Sequence, residues 1–123
     1  MRNQPFDLEE RLLDYSVRII KLVEQLPKTR TGNHIASQLL RSGTSAYPNH
    51  GEAQAAESPN DFIHKLRISL KELRESQRWI KLIQRIPLIK ENDLLKVLLQ
   101  ETDELIRIFV TSIKTAEQKR NQC

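Results

Sequence analysis

Between Leu39 and Ser76 the chain reads LLRSGTSAYPNHGEAQAAESPNDFIHKLRISLKELRES, and small or polar residues stand at helical spacing where a bundle core ordinarily carries leucine. Ile35, Leu39, Ser42, Ala46, Asn49, Ala53 and Ala56 repeat at alternating steps of four and three, the spacing of a helix face turned toward a partner helix. Side chains this small leave little between two backbones, so the later turns of this helix must let a neighbour come close. Pro48 deletes an amide donor and meets the carbonyl four residues back, which predicts a kink. Ser42, Thr44, Ser45 and Asn49 are placed to hydrogen-bond the backbone groups that such a kink frees.

The three glycines all fall between Gly32 and Gly51, and the long runs outside that region lack the turn clusters that strands require, so the fold class is all-α. Periodicity predicts helices over about residues 6–26, 31–57, 60–86 and 88–119. The first carries the stripe Leu8, Leu12, Tyr15, Ile19, Leu22, Val23 and Leu26, with Asp7, Glu9 and Glu10 near its positive end and Pro27 closing it. Ser58 or Asn60 caps the third, with Pro59 and Asp61 in its first turn and an inward stripe of Phe62, Leu66, Leu70, Leu73, Gln77 and Ile80. Pro87 breaks it. The fourth turns Leu95, Leu98, Leu99, Thr102, Leu105, Phe109 and Ile113 inward. Short connections make neighbours antiparallel, so the 123 residues form one domain, an up-down-up-down four-helix bundle with a kinked second helix. The polar, basic tail from residue 117 to 123 is expected to fray.

Several functions are disfavoured by what the chain holds. No apolar run approaches the roughly 18 residues of a membrane span, and Met1 to Glu10 has no apolar signal-peptide region, so a cytoplasmic location is expected. Cys123 is the single cysteine, which excludes an intramolecular disulfide and a Cys-rich zinc site. His34, His50 and His64 lack the spacing of an H-E-x-x-H helix, and His50 with Glu52 lacks the cysteine pair of a zinc deaminase. Gly43 and Gly51 make no phosphate loop, and neither Ser42 nor Ser45 has a histidine placed to activate it. The chain therefore reads as a non-enzyme, with no catalytic residue, metal or cofactor assigned.

Apolar residues exceed what one bundle needs. Phe6, Leu13, Val17 and Ile20 form a second row on the first helix, Ile68, Trp79, Leu82 and Ile86 on the third, and Leu94, Val97 and Ile108 on the fourth. Single apolar side chains on a surface are ordinary, but second rows on three helices point to packing on other subunits, a homo-oligomer with Trp79 as interface anchor.

Arg67, Lys71, Arg74, Arg78, Lys81 and Arg85 form one row along a flank of the third helix. Like charges four apart cost about 0.2–0.5 kcal/mol per pair in an isolated helix, and Glu75 can offset part of this through Lys71 and Arg78. The remainder calls for carboxylates on another helix, for solvent and salt, for an acidic protein, or for phosphates. With 20 Lys and Arg against 16 acids, and Lys114, Lys119 and Arg120 near the C-terminus, the row is the candidate surface for nucleic acid, RNA before DNA. The alternative is a protein-interaction scaffold or an accessory subunit of a nucleic-acid enzyme such as a reverse transcriptase.

Leu26-Pro27, the run Arg41 to Ser45, Pro48 to Glu52, and the Phe62-Ile63 pair opening the third helix together resemble the four-helix bundle proteins of the 23S rRNA intervening-sequence family, over the whole chain. This sequence departs from the family pattern at His50 and at Gly51-Glu52-Ala53. The resemblance implies a bacterial protein encoded within an inserted segment of a large-subunit rRNA gene or free-standing, and a bundle assembling as a ring, a pentamer. A related group of bundles serves reverse transcriptases of diversity-generating retroelements as accessory subunits. The basic row is read from this sequence alone.

Overall fold

A computed structural model describes residues 7–122, all of whose regular structure is helical. The chain folds as α1 (Leu8–Val23), α2 (Arg30–Gly43), α3 (Ala46–Gln54), α4 (Pro59–Arg85) and α5 (Asp93–Asn121). α2 and α3 are the two arms of one bent rod, so four rods make an antiparallel up-down-up-down bundle. α1 packs on the bent rod and on α5, and α4 closes the ring of contacts from the opposite corner.

Each helix begins on a side-chain cap. Asp7 accepts from the Glu10 amide (3.2 Å), Thr29 from Gly32 (3.0 Å), Ser58 from Asp61 (3.1 Å) and Asn92 from Leu95 (2.9 Å). The exception is α3, where Ser45 makes no such bond and continues from α2 through a local break. α1 stops at Val23, short of Leu26, and two i→i+3 bonds (Gln25 to Leu22, Leu26 to Val23) tighten the chain so that Leu26 still reaches the core. α5 starts at Asp93, later than residue 88, because Asn92 is the residue that caps it; Leu88 and Ile89 pack half-buried on the core instead. Its helix runs on through Asn121, past the expected fraying point, with Arg120 Nη1 donating to Asn60 Oδ1 (3.1 Å).

The bend comes at Thr44 and Ser45, upstream of Pro48. Thr44 is the residue whose carbonyl Pro48 can neither satisfy nor clear. Ser45 Oγ donates to the Arg41 carbonyl (2.6 Å), which the Ser45 amide has left for Ser42, while Thr44 Oγ1 on Leu40 (2.6 Å) and Asn49 Nδ2 on Ser45 (2.9 Å) reach carbonyls that keep their amide partners. Ser42 does something else: it lies 2.9 Å from Ser76 Oγ on α4.

Glycines mark two close approaches, one to α1 and one to the loop that follows it. A Cβ on Gly43 would stand 2.6 Å from Ile19 Cγ2 and would have to displace that side chain, and one on Gly32 would stand only 1.9 Å from the Pro27 carbonyl oxygen, which is backbone and cannot give way. The inward stripe of α4 is Ile63, Leu66, Ser69, Leu73, Ser76, Ile80 and Ile83. Phe62, Leu70 and Gln77, expected inward, are half-buried on its flanks, while two serines take core positions. His50, beside the half-buried Asn49, likewise turns inward on α3.

Those serines belong to a polar layer that ties all four rods. Tyr15 on α1 is fully buried, its hydroxyl 2.7 Å from Thr102 Oγ1 on α5; Ser76 on α4 joins Ser42 on α2 and the Glu72 carbonyl (2.9 Å each). Thr102 spends its proton on the Leu98 carbonyl (2.6 Å), so Tyr15 is the donor between the two. Ser69 Oγ reaches the Ala46 carbonyl (3.3 Å) just past the bend.

Candidate nucleic-acid interface

Nothing interrupts α4 over its 27 residues after the Pro59 start, so a feature repeating with the helical period keeps one bearing along it. Arg67 to Arg85 spans 18 residues in five steps, a mean step of 3.6, which is the α-helical period. The six cations therefore run parallel to the axis, one per turn, and all six are exposed on the side opposite the core.

Only the first has a carboxylate partner among the described residues: Arg67 Nη2 pairs with Glu117 on α5. Lys71, Arg74, Arg78, Lys81 and Arg85 have none within ion-pair distance. Glu75, expected to offset Lys71 and Arg78, faces the other way. It pairs with Arg41 of α2 and accepts from Trp79 Nε1 (3.0 Å), while Glu72 accepts from Arg41 Nη1 (3.1 Å). The acids of α4 are thus drawn into the α2 seam, and the row is left without their charge. Arg78, Lys81, Leu82, Gln84 and Arg85 line an open depression of about 670 Å³ at its C-terminal end.

The apolar second rows divide. Leu13, Val17 and Ile20 on α1, Leu82 and Ile86 on α4 and Val97 on α5 are exposed, at 38 to 47 % of their full area. Ile68, Leu94 and Ile108 are half-buried, and Phe6 lies outside the described residues. Trp79, expected as an interface anchor, is packed in part on its own subunit. Half-buried, it meets His34 of α2 edge-on (ring centroids 5.9 Å apart), with its indole N–H held by Glu75. Leu40, exposed on α2, was not singled out by the sequence; its place three residues before Gly43 sets it on the α1 side, and the pattern of that helix alone does not show which side is covered.

The histidines do not converge. His50 is buried against Phe109 (6.3 Å, edge-on), its Nε2 3.3 Å from the Gln54 amide and its Nδ1 unpartnered; burial pushes its pKa down, which keeps it neutral. Glu52 turns outward to Lys65 (2.6 Å), and His64 is exposed. On the opposite flank Arg11 forks onto Glu101 (3.0 and 2.7 Å) and reaches Glu104 (3.0 Å), and hydrogen bonding to Glu101 leads the causes that raise its pKa. No described helix is long and apolar enough to cross a membrane.

A solved structure of a protein of unknown function from the S23 ribosomal protein family of Bacteroides thetaiotaomicron is similar to this chain at 33% identity. It superposes with a TM-score of 0.80, covering 87% of this chain and 98% of that one. No curated protein matches. The family model for the 23S rRNA-intervening sequence protein matches residues 7–111, so the chain belongs to that family.

Proposed function

We propose that this protein is a non-enzymatic helical bundle of the bacterial cytoplasm that assembles with copies of itself and binds nucleic acid, RNA foremost, along the outer face of α4. The observation that carries the reading is the row Lys71, Arg74, Arg78, Lys81 and Arg85: five exposed cations in line, with no carboxylate in ion-pair range among the described residues. Such a row repels itself, and phosphates relieve that repulsion while releasing counterions, so binding falls steeply with salt. The family's description, which names an intervening sequence of 23S rRNA, favours RNA over other polyanions.

Assembly supplies the second part. The exposed apolar rows at Leu13, Val17 and Ile20 and at Leu82 and Ile86 suit packing against other copies, and the family resemblance favours a pentameric ring as their arrangement. A ring repeats the basic row once per subunit, which multiplies weak contacts by avidity. Charge reversal at Arg74 and Arg78 (R74E/R78E) abolishes the retarded RNA band in a gel-shift assay and leaves the mass of the assembly unchanged. Unaltered retardation removes the row from any role in binding.

A second reading, an accessory subunit for another protein, draws on Leu82 and Ile86 standing exposed beside Arg78, Lys81 and Arg85, a mixture that suits an acidic amphipathic partner. A pull-down that recovers one protein despite nuclease and despite R74E/R78E decides for it.

A further inference from the structure

Resting on the nucleic-acid reading, we infer that the face of α4 is a track for single-stranded nucleic acid, gripped by its phosphates and not by its bases. Straightness is the first reason. From Arg67 to Arg85 the row covers about 27 Å at about 5.4 Å per cation. A duplex turns once in about 35 Å, so over that length each of its strands winds some three quarters of the way round the axis. A straight convex rod laid against it meets only a few phosphates. A single strand has no such obligation and follows the row from end to end.

The surroundings of the row are the second reason. A helix that enters a duplex groove needs cations toward both groove walls. On α4 the α2-facing flank carries Glu72 and Glu75, held in place by Arg41, and α5 packs along the other side. The row is one cation wide, which matches one backbone.

The third reason concerns the bases. Base-reading single-strand proteins stack nucleobases on exposed aromatic rings. No Phe, Tyr or Trp is exposed among the described residues: Tyr15 and Phe109 are buried, Tyr47, Phe62 and Trp79 half-buried, and the Trp79 N–H is already bonded. The row thus offers a strand charges for its phosphates and no Phe, Tyr or Trp face for its bases.

The test uses fluorescence anisotropy on the full-length protein with three probes of equal length: an RNA of about 20 nucleotides, that RNA annealed to its complement, and a phosphodiester strand with no bases. The single strand binds at least about ten-fold more tightly than the duplex, and the base-free strand stays within about three-fold of the RNA. Five cations on a single strand give a log–log salt slope of about −3.5, and K71A or R85A each flattens it by about 0.7. Duplex binding equal to or tighter than the single strand overturns the inference while leaving the nucleic-acid reading in force, as does loss of binding on removing the bases. Failure of all three probes at low salt overturns both.

Discussion

Tyr15 should make the protein lose stability in alkali in a way that one substitution abolishes. Burial raises the pKa of its phenol from 10.0 to about 12. The folded state thus holds the proton more tightly than the unfolded chain. The stabilisation is complete below pH 10, declines as pH rises, and is gone once pH passes the folded-state value near 12. At about 1.36 kcal/mol per pKa unit, Tyr15 ionisation removes about 1.4 kcal/mol by pH 11 and about 2.3 kcal/mol by pH 12. Tyr15→Phe cannot ionise but gives up the hydrogen bond to Thr102, a loss of about 1 kcal/mol at neutral pH. Wild type is accordingly the more stable protein at pH 8 and the less stable one above roughly pH 11, so the two curves cross. Urea unfolding of both proteins at pH 8, 10, 11 and 12 measures the difference, in which groups common to the two proteins cancel. A difference that stays constant across this range would falsify the buried donor role given to Tyr15.

Gly43→Ala places a Cβ within 2.6 to 2.9 Å of three atoms of the fully buried Ile19, and should lower stability by about 1–3 kcal/mol in thermal unfolding. Gly51→Ala, with nothing within 4 Å of the new carbon in the middle of α3, should raise it by about 0.5–1 kcal/mol; equal effects at the two sites refute the close-approach account of Gly43. If the exposed apolar rows pack on other copies, Val17→Ser or the pair Leu82→Ser and Ile86→Ser lowers the mass seen by light scattering. A wild-type monomer at micromolar concentration rules that packing out.

The four rods were legible because leucine and isoleucine recur with the helical period, and Leu12, Ile19, Leu66, Leu73, Leu98 and Leu105 are all buried where that period puts them. Ser69 and Ser76 were missed for a matching reason: a hydroxyl at a core position is indistinguishable by pattern from one on the surface until its partners, Ala46 and Ser42, are brought up from another rod. Proline announced the bend in the second rod, but its effect falls on the carbonyl four residues earlier, at Thr44. Local reasoning paired Glu75 with its own helix, whereas Arg41 reaches it across a seam that the small residues make narrow. The position of the basic row needed only spacing. That five of its cations lack a carboxylate partner among the described residues depended on where the acids of α4 and α5 came to rest.

The two halves of the Leu39 to Ser76 segment act on each other through α4. Small side chains at Ser42 and Ala46 let the bent rod settle close, and Ser69 and Ser76 meet it from α4 with hydroxyls short enough to fit. Bulkier inward residues at these two turns would push α4 outward or bend it, because a close-packed interior resists added volume. The same seam draws Glu72 and Glu75 toward Arg41 and away from the outer face. An uninterrupted α4 and the turning of Glu72 and Glu75 toward Arg41 both go with this packing. The row of cations, five of them without a carboxylate partner among the described residues, is thus tied to the seam on the opposite side of the same helix.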